Sequence, residues 1–165
     1  MFIAHGELIS SRELTMQVDF IEFNEKMLRK TYEWLQDEEL CHLIDTTPVS
    51  LEKQKAWFES LKNRKDYYIK GIVCDSIPIG AVGIKHISSN TGEYWGYIGN
   101  KEFWGKGIGK EMVSRMLLDA KEIYKLSTLK LRVREDNMRA FRLYQSMGFV
   151  ELKKSKDFIE MEFIL

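Results

Sequence analysis

The stretch that decides the fold is EYWGYIGNKEFWGKGIGK, residues 93–110. Its first half is rich in aromatic residues, as strands are, and its glycines at positions 105, 107 and 109 form a loop that leads into a helix. Glycines leave main-chain N–H groups open to an anion, and a helix start adds unpaired N–H donors and the positive end of the helix dipole. The stretch therefore predicts a phosphate-binding loop with Lys106 and Lys110 as nearby charges; a β–α turn that binds nothing is the alternative.

Two common nucleotide-binding motifs do not fit this loop. In the dinucleotide pattern G-x-G-x-x-G, counted from Gly105, the third glycine position is Lys110. In the Walker pattern, the required first glycine falls on Trp104, and Glu111 replaces the Ser or Thr. Nicotinamide binding and nucleotide hydrolysis are therefore disfavoured.

Two blocks in the second half of the chain resemble the GNAT superfamily of N-acetyltransferases. Residues 104–109, WGKGIG, are similar to the acetyl-CoA pyrophosphate loop of that family, Q/R-x-x-G-x-G/A, with Trp104 where Gln or Arg is usual. Residues 137–149, NMRAFRLYQSMGF, are similar to the family pattern N-x-x-A-x-x-x-Y-x-x-x-G-F. The clear resemblance covers roughly residues 68–165, whereas residues 1–67 share only a strand–helix–helix layout.

The hydrophobic pattern on either side of the loop predicts the order β α α β β β α β α β β. It places the first strand over Thr15 to Phe23 and a loop over Asp37 to Thr47. A strand–helix–strand unit makes two strands parallel, and the resemblance implies an α/β (α+β) GNAT fold, a mixed, mostly antiparallel sheet with a central splayed parallel pair. We expect a single domain over residues 1–165, with an acceptor-side part over about 1–66 and an acetyl-CoA-binding part over about 67–165.

The resemblance implies how acetyl-CoA would bind. The pantetheine arm lies between the splayed strands and pairs with main-chain groups like a missing strand, and one N–H near Ile98 polarises the acetyl carbonyl. Asn137 hydrogen-bonds the arm, caps the helix that follows it, or does both. The implied coenzyme-binding residues are Ile98, Gly99, Asn100, Trp104, Gly105, Lys106, Gly107, Ile108, Gly109, Lys110 and Asn137.

Two residues are predicted to be catalytic. Tyr144, at the tyrosine position of the second block, would protonate or hydrogen-bond the departing coenzyme A thiolate; a core tyrosine is the alternative. Glu93 would remove a proton from the attacking amine, directly or through a water, because an ammonium ion has no lone pair to offer. The alternative for Glu93 is a turn residue that faces solvent, and His86 is a weaker candidate base.

The predicted activity is transfer of an acetyl group from acetyl-CoA to a primary amine by direct attack in a ternary complex. Trp34 and Asp37 are the predicted acceptor-binding residues, because WLQD over 34–37 resembles the W-x-x-D/N stretch of members that acetylate amino sugars on nucleotide carriers. That stretch also occurs in ribosomal-protein N-terminal acetyltransferases. The alternatives are a protein N-terminal acetyltransferase and a non-catalytic acyl-CoA-binding sensor.

Composition limits the partners. The 165 residues include 25 basic and 25 acidic side chains, and this zero net charge argues against a nucleic-acid binder. Residues 1–99 carry a net −4 and residues 100–165 a net +4, which suits a polyanionic small ligand or a solvated helix face. Two cysteines suggest neither a disulfide framework nor a metal site. Because the sequence has no long apolar run and no secretory signal, we expect a cytoplasmic protein that binds no membrane. We also expect a monomer or homodimer whose partner is a small-molecule amine.

Overall fold

The computed structural model describes residues 16–165, so Thr15, where the first strand is predicted to begin, lies outside the described residues. Within them, the chain forms seven strands and five α-helices, joined by short 3₁₀ turns at Leu61–Asn63 and Lys101–Phe103. In chain order these elements are β1 (Val18–Glu22), α1 (Glu25–Trp34), α2 (Glu38–Leu43), α3 (Leu51–Ser60), β2 (Tyr68–Cys74), β3 (Ile77–Lys85), β4 (Thr91–Ile98), α4 (Ile108–Glu122), β5 (Thr128–Arg134), α5 (Met138–Ser146), β6 (Val150–Lys154) and β7 (Phe158–Ile164).

The strands form one mixed sheet in the order β1-β2-β3-β4-β5-β7-β6. Every neighbouring pair is antiparallel except β4 and β5, which are parallel because α4 carries the chain back across the sheet between them. This arrangement confirms the predicted fold class, a mixed and mostly antiparallel sheet with one central parallel pair.

The parallel pair separates soon after it begins. Strands β4 and β5 are in register only from Thr91 opposite Thr128 to Glu93 opposite Lys130. Strand β4 then continues to Ile98 and pairs with β3 alone, while β5 continues to Arg134 and pairs with β7. The two strands therefore enclose a wedge-shaped gap in the middle of the sheet, as the resemblance implies.

Helix α2 is a correction to the predicted loop over Asp37 to Thr47. The side chain of Asp37 accepts a hydrogen bond from the Leu40 amide at 2.8 Å and so caps the helix. Two of its own residues, Leu40 and Cys41, are buried. With six residues, the helix is too short for a hydrophobic period to become visible in the sequence.

The core lies on both faces of the sheet, and β4 contributes to each. Tyr94 belongs to the larger cluster, beneath α4 and α5, whereas Trp95 and Tyr97 pack against the smaller cluster beneath α1 and α3. This alternation places the gap between two packed layers, so its walls are held from both sides. No helix among residues 16–165 is long and apolar enough to cross a membrane.

Candidate active site

A cavity of about 400 Å³ opens where β4 and β5 separate. Its walls come from β4, the loop that leads into α4, β5, α5 and the end of α2. Several residues predicted from sequence line it together: Glu93, Ile98, Trp104, Gly105, Lys106, Gly107, Ile108, Gly109, Lys110, Asn137 and Tyr144. The structure thus brings the predicted phosphate loop and both predicted catalytic side chains to one space.

The loop before α4 leaves main-chain amides open. Gly105 and Gly107 have φ angles of +73° and +79°, in the left-handed region that favours glycine. Gly107 is the N-cap of α4 but supplies no side-chain hydrogen bond, and a Cβ added to it would meet nothing within 4 Å. Because the first amides of a helix have no intrahelical partner, this turn fits a diphosphate.

Positive side chains surround this turn. Lys106 and Lys110 line the cavity, as predicted. Arg139, which the sequence analysis missed, also lines it, and a Cβ built on Gly105 would lie 2.8 Å from the Nη2 atom of Arg139. Arg139 lies within the second block that resembles the GNAT family, but nothing in its position indicated that α5 would bring it back to the loop.

Two of the predicted coenzyme contacts need correction. The amides of Gly99 and Asn100 both donate to the Ile79 carbonyl, at 2.8 and 3.1 Å, so they are directed towards β3 and away from the gap. In an antiparallel ladder, alternate residues point their main-chain groups to opposite sides of the strand. The main-chain groups of Gly96 and Ile98 therefore face the gap, and Ile98 is the predicted contact that the geometry supports.

Trp104 attaches the phosphate loop to the end of β4. Its indole Nε1–H donates to the Ile98 carbonyl at 2.8 Å, and the Lys101 ammonium lies 5.4 Å from the centre of its ring. The side chain at this position therefore satisfies a main-chain acceptor that would otherwise face the gap. Trp104 thus holds the loop in place, a role that its departure from the family pattern did not reveal.

Tyr144 lies on α5 and lines the cavity. Its ring packs edge-on against Tyr94, with centroids 5.7 Å apart, and at a tilt against Phe149 at 6.0 Å. Burial raises the pKa of Tyr144 to about 12, so at neutral pH the phenol is protonated and can donate a hydrogen bond. Tyr144 therefore packs in the core and also lines the cavity, so its core packing is compatible with the predicted catalytic position.

Asn137 acts as a helix cap. Its Oδ1 atom accepts a hydrogen bond from the Ala140 amide at 3.3 Å, at the start of α5, and its Nδ2 atom donates to the Leu43 carbonyl at 3.5 Å. The cap is one of its two predicted roles. Asn137 also lines the cavity, which is compatible with its second predicted role. Contact with the coenzyme arm stays a prediction.

Glu93 is the last residue of β4 to pair with β5 before the strands separate. Its Oε2 atom lies 2.8 Å from Nδ1 of His86 and 3.8 Å from Nζ of Lys85, and 23% of its side chain is exposed. It borders both the main cavity and an adjoining hollow of about 260 Å³. A carboxylate so placed can take a proton directly or through a water.

Trp34 and Asp37 are not among the residues that line the cavity, and their contact with the acceptor stays a prediction. The ring of Trp34 packs on Gly99, where a Cβ would overlap it. Asp37 caps α2 and forms an ion pair with Lys101, at 3.0 Å from Nζ. The Leu40 amide and then the Lys101 ammonium hold the pKa of Asp37 below its usual range. Both residues are therefore engaged in structural contacts.

Helix α2 and the residues just after it contact both sides of the gap. At its start, Asp37 and Glu39 are bound by Lys101, which follows β4. At its end, the Nε2 atom of His42 lies 2.7 Å from Oδ2 of Asp136, which follows β5. We call residues 37–45 the α2 brace.

The brace ends in a cluster of charges that the sequence analysis missed. The Nη2 atom of Arg132 lies 2.6 Å from Oδ2 of Asp45, and Nη1 of Arg134 lies 3.7 Å from Oδ1. The guanidinium of Arg132 also lies 4.1 Å from the centre of the Phe158 ring. The alternation in TLKLRVR over 128–134 predicts a strand with an outward charged face, but no local signal indicates the distant partner of each arginine.

A family model described as an acetyltransferase (GNAT) domain matches residues 19–150. The chain belongs to the GNAT acetyltransferase family. As a GNAT N-acetyltransferase it uses acetyl-CoA as its acyl donor, which confirms the predicted family, enzyme class and co-substrate.

Similar proteins come from several organisms. Acetyltransferase PseH of Campylobacter jejuni is 25% identical over 142 residues, which are 85% of this chain and 87% of PseH. An uncharacterized protein of Methanocaldococcus jannaschii is 32% identical over 116 residues, 69% of this chain, and the matched part spans 24% of that longer protein.

Solved structures support the fold. The crystal structure of PseH in complex with acetyl coenzyme A has a TM-score of 0.72 at 19% identity, covering 90% of this chain and 99% of that one. Spermidine N-acetyltransferase from Vibrio cholerae, in complex with CoA and spermine, has a TM-score of 0.81 at 19% identity, covering 90% and 95%. At these identities the likeness concerns the fold and not the acceptor.

Proposed function

We propose that this chain transfers the acetyl group of acetyl-CoA to the primary amine of a small molecule, by direct attack in a ternary complex. The observation that carries this proposal is the single cavity bordered by the open first turn of α4, by Tyr144 and by Glu93. A donor site and a proton acceptor that share one space allow the amine to meet the thioester without an acyl-enzyme intermediate.

The coenzyme would be held mostly by main chain. The amides from Gly105 to Gly109 would bind the diphosphate, with the side chains of Lys106, Lys110 and Arg139 adding positive charge. The main-chain groups of Gly96 would pair with the pantetheine arm in the gap, and the Ile98 N–H would polarise the acetyl carbonyl.

Each reacting group has a residue beside its expected position. Glu93, supported by His86, takes a proton from the ammonium form of the acceptor, directly or through a water, and the freed nitrogen attacks the carbonyl carbon. The carbon–sulfur bond then breaks and coenzyme A leaves as a thiolate. Tyr144, whose phenol is protonated at neutral pH, donates a hydrogen bond or a proton to that sulfur.

The acceptor that we propose is an amino sugar on a nucleotide carrier. The W-x-x-D pattern at 34–37 supports it, with Trp34 and Asp37 as its predicted contacts. A protein N-terminus is the second candidate acceptor, supported by the same pattern. We further propose that the protein is a cytoplasmic monomer or homodimer; a spermidine N-acetyltransferase of similar fold is described as dodecameric, so this is to be measured by light scattering.

The test is release of free coenzyme A thiol from acetyl-CoA, measured with a panel of amines. The panel contains a uridine-diphosphate-linked amino sugar, spermidine, and a short peptide with a free N-terminus. Release with the sugar nucleotide, above the rate without acceptor, is the expected result. Tight binding of acetyl-CoA without release for any amine would contradict catalysis and favour the sensor alternative.

A further inference from the structure

The acceptor side of the cavity carries more positive than negative charge. The side chains that line it near the end of β5 and beside Glu93 are Lys85, Arg132 and Arg134, against the carboxylates of Glu93 and Asp45. A polyamine, which carries an ammonium at each nitrogen, would find each carboxylate here already paired with a cation, because Lys85 pairs with Glu93, Arg132 with Asp45 and Arg134 with Asp136. An acceptor that combines one amine with an anionic group matches it better.

The two arginines stand at a defined distance from the proposed base. Lys130 lies opposite Glu93 in the parallel register, and Arg132 and Arg134 follow it two and four residues further along β5. Paired residues point to the same face of a sheet, and a strand rises about 3.3 Å per residue. The Cα atoms of Arg132 and Arg134 therefore lie roughly 7 and 13 Å further along β5 than the Cα atom of Lys130, the residue opposite Glu93. A sugar ring followed by one or two phosphates has this length.

Neighbouring side chains fix the positions of the Arg132 and Arg134 guanidinium groups. The Arg132 guanidinium lies against the Phe158 ring, and Arg134 forms a second ion pair, with Oδ1 of Asp136, at 3.2 Å. Asp45 forms an ion pair with both guanidinium groups, and its φ of +53° lies in the left-handed region, which aspartate adopts more readily than most residues other than glycine. Its side chain is 40% exposed, so water or a ligand reaches this contact.

We infer that Arg132 and Arg134 bind a phosphate of the acceptor, and that the Asp45 carboxylate occupies them until the acceptor displaces it. A phosphate offers the same bidentate geometry to a guanidinium as a carboxylate does, and carries more charge. Once Asp45 leaves, the Arg132 guanidinium takes the phosphate bidentately, and Arg134 adds a second positive charge beside it while it stays paired with Asp136. This inference rests on the proposed function and names the chemical class of its acceptor.

The test separates this site from the coenzyme loop by filling the loop first. The protein is saturated with coenzyme A, and uridine diphosphate or inorganic pyrophosphate is then titrated by calorimetry. We expect uridine diphosphate to bind the saturated wild type, and Arg132→Gln to weaken this binding by about tenfold or more. Lys153→Gln, which removes the same charge from exposed strand β6, is the matched control and should bind like wild type.

A second variant gives the opposite sign. Asp45→Asn removes the competing negative charge, so it should bind uridine diphosphate more tightly than wild type, by a few-fold. No binding to the saturated protein, equal binding by Arg132→Gln, or weaker binding by Asp45→Asn would each overturn the inference. Pyrophosphate alone shows whether the phosphates suffice without the nucleoside, and its failure beside bound uridine diphosphate would overturn the arginine pair as the main contact.

Thiol release on the same preparations separates this inference from the proposed function. Acetylation of amines without anion binding would leave the function standing and remove the arginine site. Anion binding without acetylation of any amine would do the reverse.

Discussion

Different kinds of interaction hold the donor side and the acceptor side of the cavity in shape. On the donor side, the coenzyme loop consists of glycines with left-handed backbone, a helix start without a side-chain cap, and an indole bonded to a main-chain carbonyl. On the acceptor side, the wall consists of ion pairs between partly exposed side chains of distant segments, such as Arg132 with Asp45. The donor side is thus fixed by local backbone geometry, and the acceptor side by long-range charge pairing.

The largest expected effect tests the residue where the two halves meet. Glu93→Gln keeps the shape of the side chain but removes the base, so kcat should fall by about 10³-fold while the KM for acetyl-CoA changes little. Steady-state thiol release measures both constants. Glu151→Gln, on exposed strand β6, is the control. Unchanged turnover in Glu93→Gln would show that another group or water alone removes the proton.

The next effect concerns the leaving group. Tyr144→Phe removes the phenol, so turnover should fall by up to ~10²-fold with acetyl-CoA binding nearly intact. Because the pKa of Tyr144 is raised to about 12, the phenol stays protonated through the usual assay range, and the variant should keep the wild-type shape of the pH–rate profile between about pH 6 and pH 10. Loss of a basic limb in the variant would contradict the raised pKa, and full activity would remove Tyr144 from the mechanism.

A smaller effect tests the backbone of the donor side. Gly107→Val forces a β-branched residue into a left-handed conformation at +79°, which costs about 1–2 kcal/mol, so acetyl-CoA affinity should fall by roughly 5- to 30-fold. Gly107→Asn is the matched control, since Asn tolerates this conformation, and a Cβ here meets nothing within 4 Å. Calorimetry on both variants gives the comparison; equal weakening would point to side-chain crowding of the ligand instead of backbone strain.

The smallest effect concerns the indole bond. Trp104→Phe keeps an aromatic ring but loses the donor to the Ile98 carbonyl, which is worth about 1 kcal/mol, so the KM for acetyl-CoA should rise by about fivefold with kcat unchanged. A fall in kcat at constant KM would mean that Trp104 acts on the reaction and not on the loop.

The same contrast explains what the sequence could predict. Glycines at positions 105 and 107 indicate left-handed backbone, and the block over residues 137–149 indicates α5 and the position of its tyrosine. The fold and the backbone of the donor-side loop could therefore be predicted from the sequence. The direction of the Gly99 and Asn100 amides could not be predicted, because the register of the sheet decides which main-chain groups of β4 face β3.

The acceptor side was foreseeable only in part. Glu93 was predicted as the base because the sequence pattern begins the strand beside the gap at this residue, whereas β4 begins two residues earlier, at Thr91. Arg132 and Asp45 are 87 residues apart, and nothing local to either one indicates its partner. Helix α2 was missed because a six-residue helix shows no period. The packing of Trp34 on Gly99 and the ion pair of Asp37 with Lys101 cannot be inferred from spacing either.

The α2 brace has a consequence for how the protein responds to salt. Where β4 and β5 have separated, no ladder joins them, and the brace crosses from one to the other through contacts of Lys101 and Arg132 that are about half exposed. Such ion pairs weaken as ionic strength rises, whereas the positions of the main-chain amides at the start of a helix do not depend on ionic strength. The width of the opening is therefore sensitive to the surrounding electrolyte, while the turn that receives the coenzyme keeps its shape.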